Sequence, residues 1–148
     1  MRAIGSCDVG LQDVFVEDGL VLGEPGAAWR LLLPTLNNER VIVSSFCAGI
    51  LDGVLEDALS YMQEREAFGR KIGEFQALQH YVADIALWRH HVGLAVLHAA
   101  WLQASGRDCH LETSMVKVMA SEYAVKAADL GIQILGGMGY SAETDMQR

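Results

Sequence analysis

The stretch MVKVMASEYAVKAADLGIQIL, residues 115–135, decides the architecture of this chain. Val116, Ala120, Tyr123, Ala127, Leu130 and Ile134 follow one another at alternating steps of four and three. That spacing puts them on one side of a helix and is the seam of an antiparallel bundle. Gly136 and Gly137 stop the helix at its C-terminal end.

Working upstream, a second periodic run extends from about Glu74 to Ala104, with Phe75, Leu78, Val82, Ile85, Val92, Val96 and Ala99 at three- and four-residue steps. Ser105-Gly106-Arg107-Asp108 ends it. Two long helices joined by a short polar turn are expected to lie antiparallel. A further helix is predicted from about Glu39 to Glu66, with Val43, Cys47, Ile50, Val54, Ala58 and Tyr61 on one side and Asn38 as its N-cap. Trp29 to Leu33 reads as a separate short helix, because Pro34 predicts a break or kink before Asn37 and Asn38.

Before Pro25 the pattern changes. The first 26 residues hold five of the fifteen glycines, and Val14-Phe15-Val16 and Leu20-Val21-Leu22 are β-type clusters. Two short strands are predicted there, and because an isolated hairpin is marginal in water they need partners from elsewhere. The expected fold is therefore mainly α, an antiparallel up-and-down helical bundle with two short N-terminal β-strands.

Composition narrows the function. Of 148 residues, 51 % are hydrophobic and 20 % charged, with two prolines, as in a single packed domain and unlike a disordered chain. A formal charge of -8 repels phosphate backbones, so no nucleic-acid partner is expected. Cys7, Cys47 and Cys109 form no C-x-x-C pair and read as buried thiols of a reducing compartment. The most apolar runs, residues 41–55 and 92–102, are shorter than the about 20 residues of a membrane span, and residues 1–6 open no secretory signal. A soluble intracellular protein is expected.

No glutamate has a histidine three residues on, which excludes the di-iron arrangement of helical bundles. His80, Asp84 and His91 share a helix face too sparsely to hold a metal, and none is expected. G-x-S-x-G, H-E-x-x-H and G-x-G-x-x-G are all missing. Gly136-Gly137-Met138-Gly139-Tyr140 has two readings, a helix cap followed by a turn or open backbone that a ligand phosphate approaches. Glu64 to Lys71 likewise reads as solvated charge around an anchoring Phe68, or as an arginine and a ring that meet an anionic, flat ligand.

Four motifs in register settle a resemblance. They are Leu36-Asn37-Asn38-Glu39-Arg40, Glu64 to Gln76, Ala83-Asp84-Ile85-Ala86, and Gln133 to Tyr140. Together they resemble the acyl-CoA dehydrogenases, a family of flavoproteins, over nearly the whole chain. Val14 to Gly26 looks like the segment that closes the family's middle β domain, with Glu17-Asp18-Gly19 lacking the usual proline. The resemblance implies residues 1–25 as a remnant of that β domain and 26–148 as the C-terminal helical bundle of a longer, three-domain enzyme.

It also implies roles. Arg65, Phe68 and Gln76 would contact FAD held mainly by a neighbouring subunit, and Gln133, Ile134, Leu135, Gly136 and Gly137 would meet its adenine-dinucleotide portion across the dimer. Asn37, Asn38 and Arg40 would line the acyl-CoA pocket. Glu39 would be the catalytic base, as in the isovaleryl-CoA and long-chain types; in most members that glutamate lies in a segment corresponding to positions beyond Arg148, which leaves Glu39 as a helix carboxylate favoured by the dipole. Electrons would pass to an electron-transferring flavoprotein, or to oxygen in an oxidase. The bundle would make a homo-oligomer, dimer or tetramer, in a bacterial cytoplasm or mitochondrial matrix. The rival expectation is a non-catalytic helical interaction module, with little turnover from these 148 residues alone.

Overall fold

The structure, a computed structural model, describes residue 5 and residues 7–147. The reading of residues 1–6 as free of a signal falls, Gly5 excepted, outside them. The chain divides into two compact units, Met1–Pro34 and Thr35–Arg148.

In the first unit the predicted strands do not form among the described residues. Residues 14–16 and 20–22 are exposed, and between them lies a 3-10 turn, Asp18–Leu20, closed by the Leu20 N–H donating to the Glu17 carbonyl at 2.9 Å. The flanking backbone is extended at Glu17 and Val21, but no ladder forms on it among the described residues. A strand exists only through its pairing.

Helix α1 (Ala28–Glu64) corrects a second expectation: it is assigned without interruption through Pro34. The predicted break does not occur, and Asn38 sits within the helix instead of capping it. Proline removes one backbone donor, and the neighbouring residues Leu31, Leu32 and Thr35 are exposed, so the carbonyl it orphans has access to water.

In the second unit, α2 (Gln76–Ala104) and α3 (His110–Leu135) complete the bundle with the remainder of α1. Gly73, just before α2, approaches Met62 near the end of α1, while farther along Arg89 of α2 pairs with Asp52 of α1, so these helices are antiparallel. Asn37 and Val54 of α1 meet Thr113 and Gly131 of α3 in the same order, so α3 runs parallel to α1. The up-down-up order follows. Trp88 of α2 stacks on Tyr123 of α3 with centroids 5.4 Å apart.

Leu51, Ala58, Ile85, Val92, Ala120 and Ala127 are completely buried and form the centre of the core. Each large aliphatic chain removed from water contributes about 1.5–3 kcal/mol. The seams of α2 and α3 are those the periodicity predicts, while that of α1 holds at Val54 and Ala58 and shifts by one position at Ser44, Leu51 and Met62. Ser44, Leu51, Val54, Ala58 and Met62 face inward, whereas Ile50 is 48 % exposed. Ser44 enters the core because its hydroxyl donates to the Arg40 carbonyl at 2.6 Å. Of the three thiols, only Cys109 is buried; Cys47 is half-buried and Cys7 exposed.

Between α1 and α2 the chain folds back in a two-residue hairpin, β1 (Glu66–Ala67) against β2 (Arg70–Lys71), with Glu66 opposite Lys71 and Ala67 opposite Arg70. Phe68 and Gly69 form its tip with φ of 54° and 82°. Positive φ at both central residues is what the twist of so tight a hairpin requires.

Candidate functional site

The second unit gathers the expected site residues into two groups. In the first, Arg65 follows the last residue of α1, held by its N–H donating to the Tyr61 carbonyl at 2.9 Å, while its own carbonyl accepts from Ile72 at 2.9 Å. Tyr61, Arg65 and Ile72 form one wall of a groove of roughly 390 Å³, and residues 134–138 form the other. Motifs about seventy positions apart thus share one surface.

Within that groove, Ile134 and Leu135 bury their side chains in the core, so what they offer a ligand is backbone. Gly136 ends α3 with φ 58°, its N–H donating to the Gln133 carbonyl, which makes it a true helix cap. A β-carbon at Gly136 or Gly137 would meet nothing within 4 Å, so the backbone there is open. Cap and open surface coexist. Gln133 is exposed just upstream, and Gln76 is exposed at the first position of α2. Phe68, 95 % exposed at the hairpin tip, lies edge-on to Phe75 at 6.2 Å, and the Arg70 guanidinium covers Phe75 at 4.1 Å. Neither Phe68 nor Gln76 lines the groove.

The second group stands near the starts of the facing parts of α1 and α3. Arg40 Nη1 donates to Asn37 Oδ1 at 2.8 Å, and Thr113 Oγ1 donates to the same oxygen at 3.3 Å. His110 Nδ1 is 3.3 Å from both Arg40 Nη1 and Asn37 Oδ1. His110 and Thr113 escaped the sequence reading because they lie seventy or more positions from Arg40 and Asn37. The available signal was Asp108, whose carboxylate accepts the His110 N–H at 3.2 Å and marks a helix start. Asn38 and Glu39 are exposed and belong to neither network.

Arg65 and Glu39 stand 26 positions apart along α1, about 39 Å at 1.5 Å per residue. Among the described residues no cluster could hold a metal ion, no buried side-chain nitrogen or oxygen lacks a partner, and no helix is long and apolar enough to cross a membrane. The Arg65 groove fits an anionic, extended group on one side only: a cation and open glycine backbone are present, but enclosing walls are not.

The sequence profile of the acyl-CoA dehydrogenase C-terminal domain matches residues 26–148. The chain belongs to the acyl-CoA dehydrogenase family, a family of oxidoreductases. It is 35 % identical over its full length to the probable acyl-CoA dehydrogenase YngJ of Bacillus subtilis, spanning 39 % of that protein. The solved butyryl-CoA dehydrogenase of Megasphaera elsdenii superimposes with a TM-score of 0.89 at 31 % identity, over 93 % of this chain and 36 % of that one. An FAD complex of PigA superimposes with a TM-score of 0.88 at 29 % identity, again over 93 % and 36 %. The chain therefore spans less than two fifths of the length of these relatives.

Proposed function

We propose that these residues form the C-terminal portion of an FAD-dependent acyl-CoA dehydrogenase that introduces a double bond between Cα and Cβ of an acyl-CoA thioester. The separation of Glu39 from Arg65, about 39 Å along one helix, carries the reading. One catalytic centre takes its thioester side from one copy of the chain and its cofactor side from another.

Bound FAD supplies the acceptor for the β-hydride. Arg65 holds its anionic portion, with the Gly136–Gly137 backbone beside it; Phe68, Gln76 and Gln133 border the same ligand, and Ile134 and Leu135 keep the loop in place. Asn37, Asn38 and Arg40 line the thioester side, where Arg40 is held by the Asn37 oxygen at 2.8 Å. Glu39 takes the α-proton once the assembled enzyme removes water from around it. Electrons leave to an electron-transferring flavoprotein, and the exposed apolar faces of the bundle are covered in a homodimer or homotetramer. A bacterial cytoplasm or a mitochondrial matrix suits that chemistry.

The test uses the full-length protein. Yellow flavin absorbance that bleaches anaerobically with an acyl-CoA supports the reading, and Glu39→Gln should retain the colour and lose the bleaching. A colourless protein that oligomerises without binding FAD would make the chain an interaction module instead. Bleaching by Glu39→Gln at the native rate would move the base to another residue.

A further inference from the structure

We propose that His110 is a positioning residue that holds Arg40 toward the thioester. The proposal rests on the assignment of Arg40 to the thioester side.

Asn37 Oδ1 accepts from Arg40 Nη1 at 2.8 Å, and the Thr113 hydroxyl shares its one hydrogen between that oxygen at 3.3 Å and the His110 carbonyl at 3.1 Å. The remaining Nη1 hydrogen of Arg40 faces His110 Nδ1 at 3.3 Å. Arg40 cannot accept a hydrogen bond, so a bond across this contact uses Nδ1 as the acceptor, with the ring proton on Nε2. The imidazole thereby ties the first turn of α3 to the guanidinium on α1.

The experiment is calorimetric titration of the full-length holoenzyme with enoyl-CoA product, which binds without turnover, alongside KM and kcat for the saturated acyl-CoA. His110→Ala is expected to weaken product binding and raise KM severalfold with kcat within about twofold, as for an interaction made equally in ground and transition states. His110→Asn, which keeps an amide near the Nδ1 position, should restore most of the affinity. Thermal melting identifies any variant that fails to fold; should His110→Ala be one, His110→Leu, which keeps the bulk and removes the acceptor, takes its place. Arg40→Ala separates the two layers: weakened binding there with unchanged binding in His110→Ala overturns the positioning role only. Unchanged binding in both overturns the assignment of Arg40 as well.

Discussion

Gly131 of α3 lies directly against Met146, leaving no room for a β-carbon, which would overlap the methionine sulfur and stand 3.0 Å from Val54 Cγ1. The 3-10 turn at Asp145–Gln147 packs over the helix at this point, with Met146 buried. Gly131→Ala should therefore destabilise the folded protein by about 1–3 kcal/mol, the usual cost of overpacking. Urea unfolding of the single variant and of Gly131→Ala with Met146→Ala checks it: the second change should offset part of the first loss.

Gly139→Ala should cost more. A β-carbon there would meet the Ile132 carbonyl oxygen at 2.7 Å, and backbone cannot swing aside as a methionine can. Of the two variants it should have the lower urea midpoint and an unfolding free energy lower by more than about 1 kcal/mol. Equal midpoints would refute the distinction.

Phe68 combines near-total exposure with a φ of 54°, a backbone state that a residue with a β-carbon adopts at a cost of order 1 kcal/mol. Such a residue adds nothing to the core of its own chain. Phe68→Gly is expected to leave unfolding stability within about 1 kcal/mol of native and to weaken FAD retention, measured as flavin absorbance after gel filtration. Full flavin retention would remove Phe68 from the cofactor side.

Thiol chemistry gives a pH-dependent prediction. Burial pushes the Cys109 thiol above its ordinary value of 9.0, and the Asp108 and Glu112 carboxylates push it further. Burial raises the Cys47 thiol too, while the Lys117 ammonium draws it back. Both stay protonated at neutral pH, and because the thiolate is the nucleophile their alkylation accelerates as pH rises. Iodoacetamide should label exposed Cys7 first; Asp108→Asn should speed labelling at Cys109, and Lys117→Gln should slow it at Cys47. Peptide mass spectrometry reads each rate.

The Asp52–Arg89 pair joins α1 to α2 with both side chains about half exposed. Solvent screening leaves such a pair little to contribute, and Asp52→Asn should change stability by less than about 1 kcal/mol. A larger loss in low-salt urea unfolding would mean the pair fixes the register of the two helices.

Helical periodicity carried the fold as far as local pattern reaches. The seams of α2 and α3 lie where Ile85, Val92, Val116 and Ala127 place them, because each is a single uninterrupted stripe. On α1 Val54 and Ala58 lie in the core as the stripe has them, while Ser44, Leu51 and Met62 take the inward places expected of Val43, Ile50 and Tyr61; Ser44 looks polar in sequence and becomes buried only through its bond to the Arg40 carbonyl. Pro34 was read as a break or kink on a local rule that solvent at that turn relaxes, and the helix is assigned through it. The β-type clusters near Phe15 express a preference that only a pairing partner can realise. Arg65 and Gly136 were each legible as motif residues, but their shared groove follows from how α1 and α3 run. His110 carried no motif, and its meeting with Arg40 is a property of the tertiary fold alone.

The length of α1 between Glu39 and Arg65 has a genetic consequence. If each catalytic centre draws these residues from different copies, Glu39→Gln and Arg65→Ala chains fail at opposite positions and can rescue one another. Dissociated and reassembled at equal amounts, they would form mixed dimers in which one centre carries both lesions and the other neither. Roughly a quarter of all centres would then be native, so two inactive preparations would yield an active mixture.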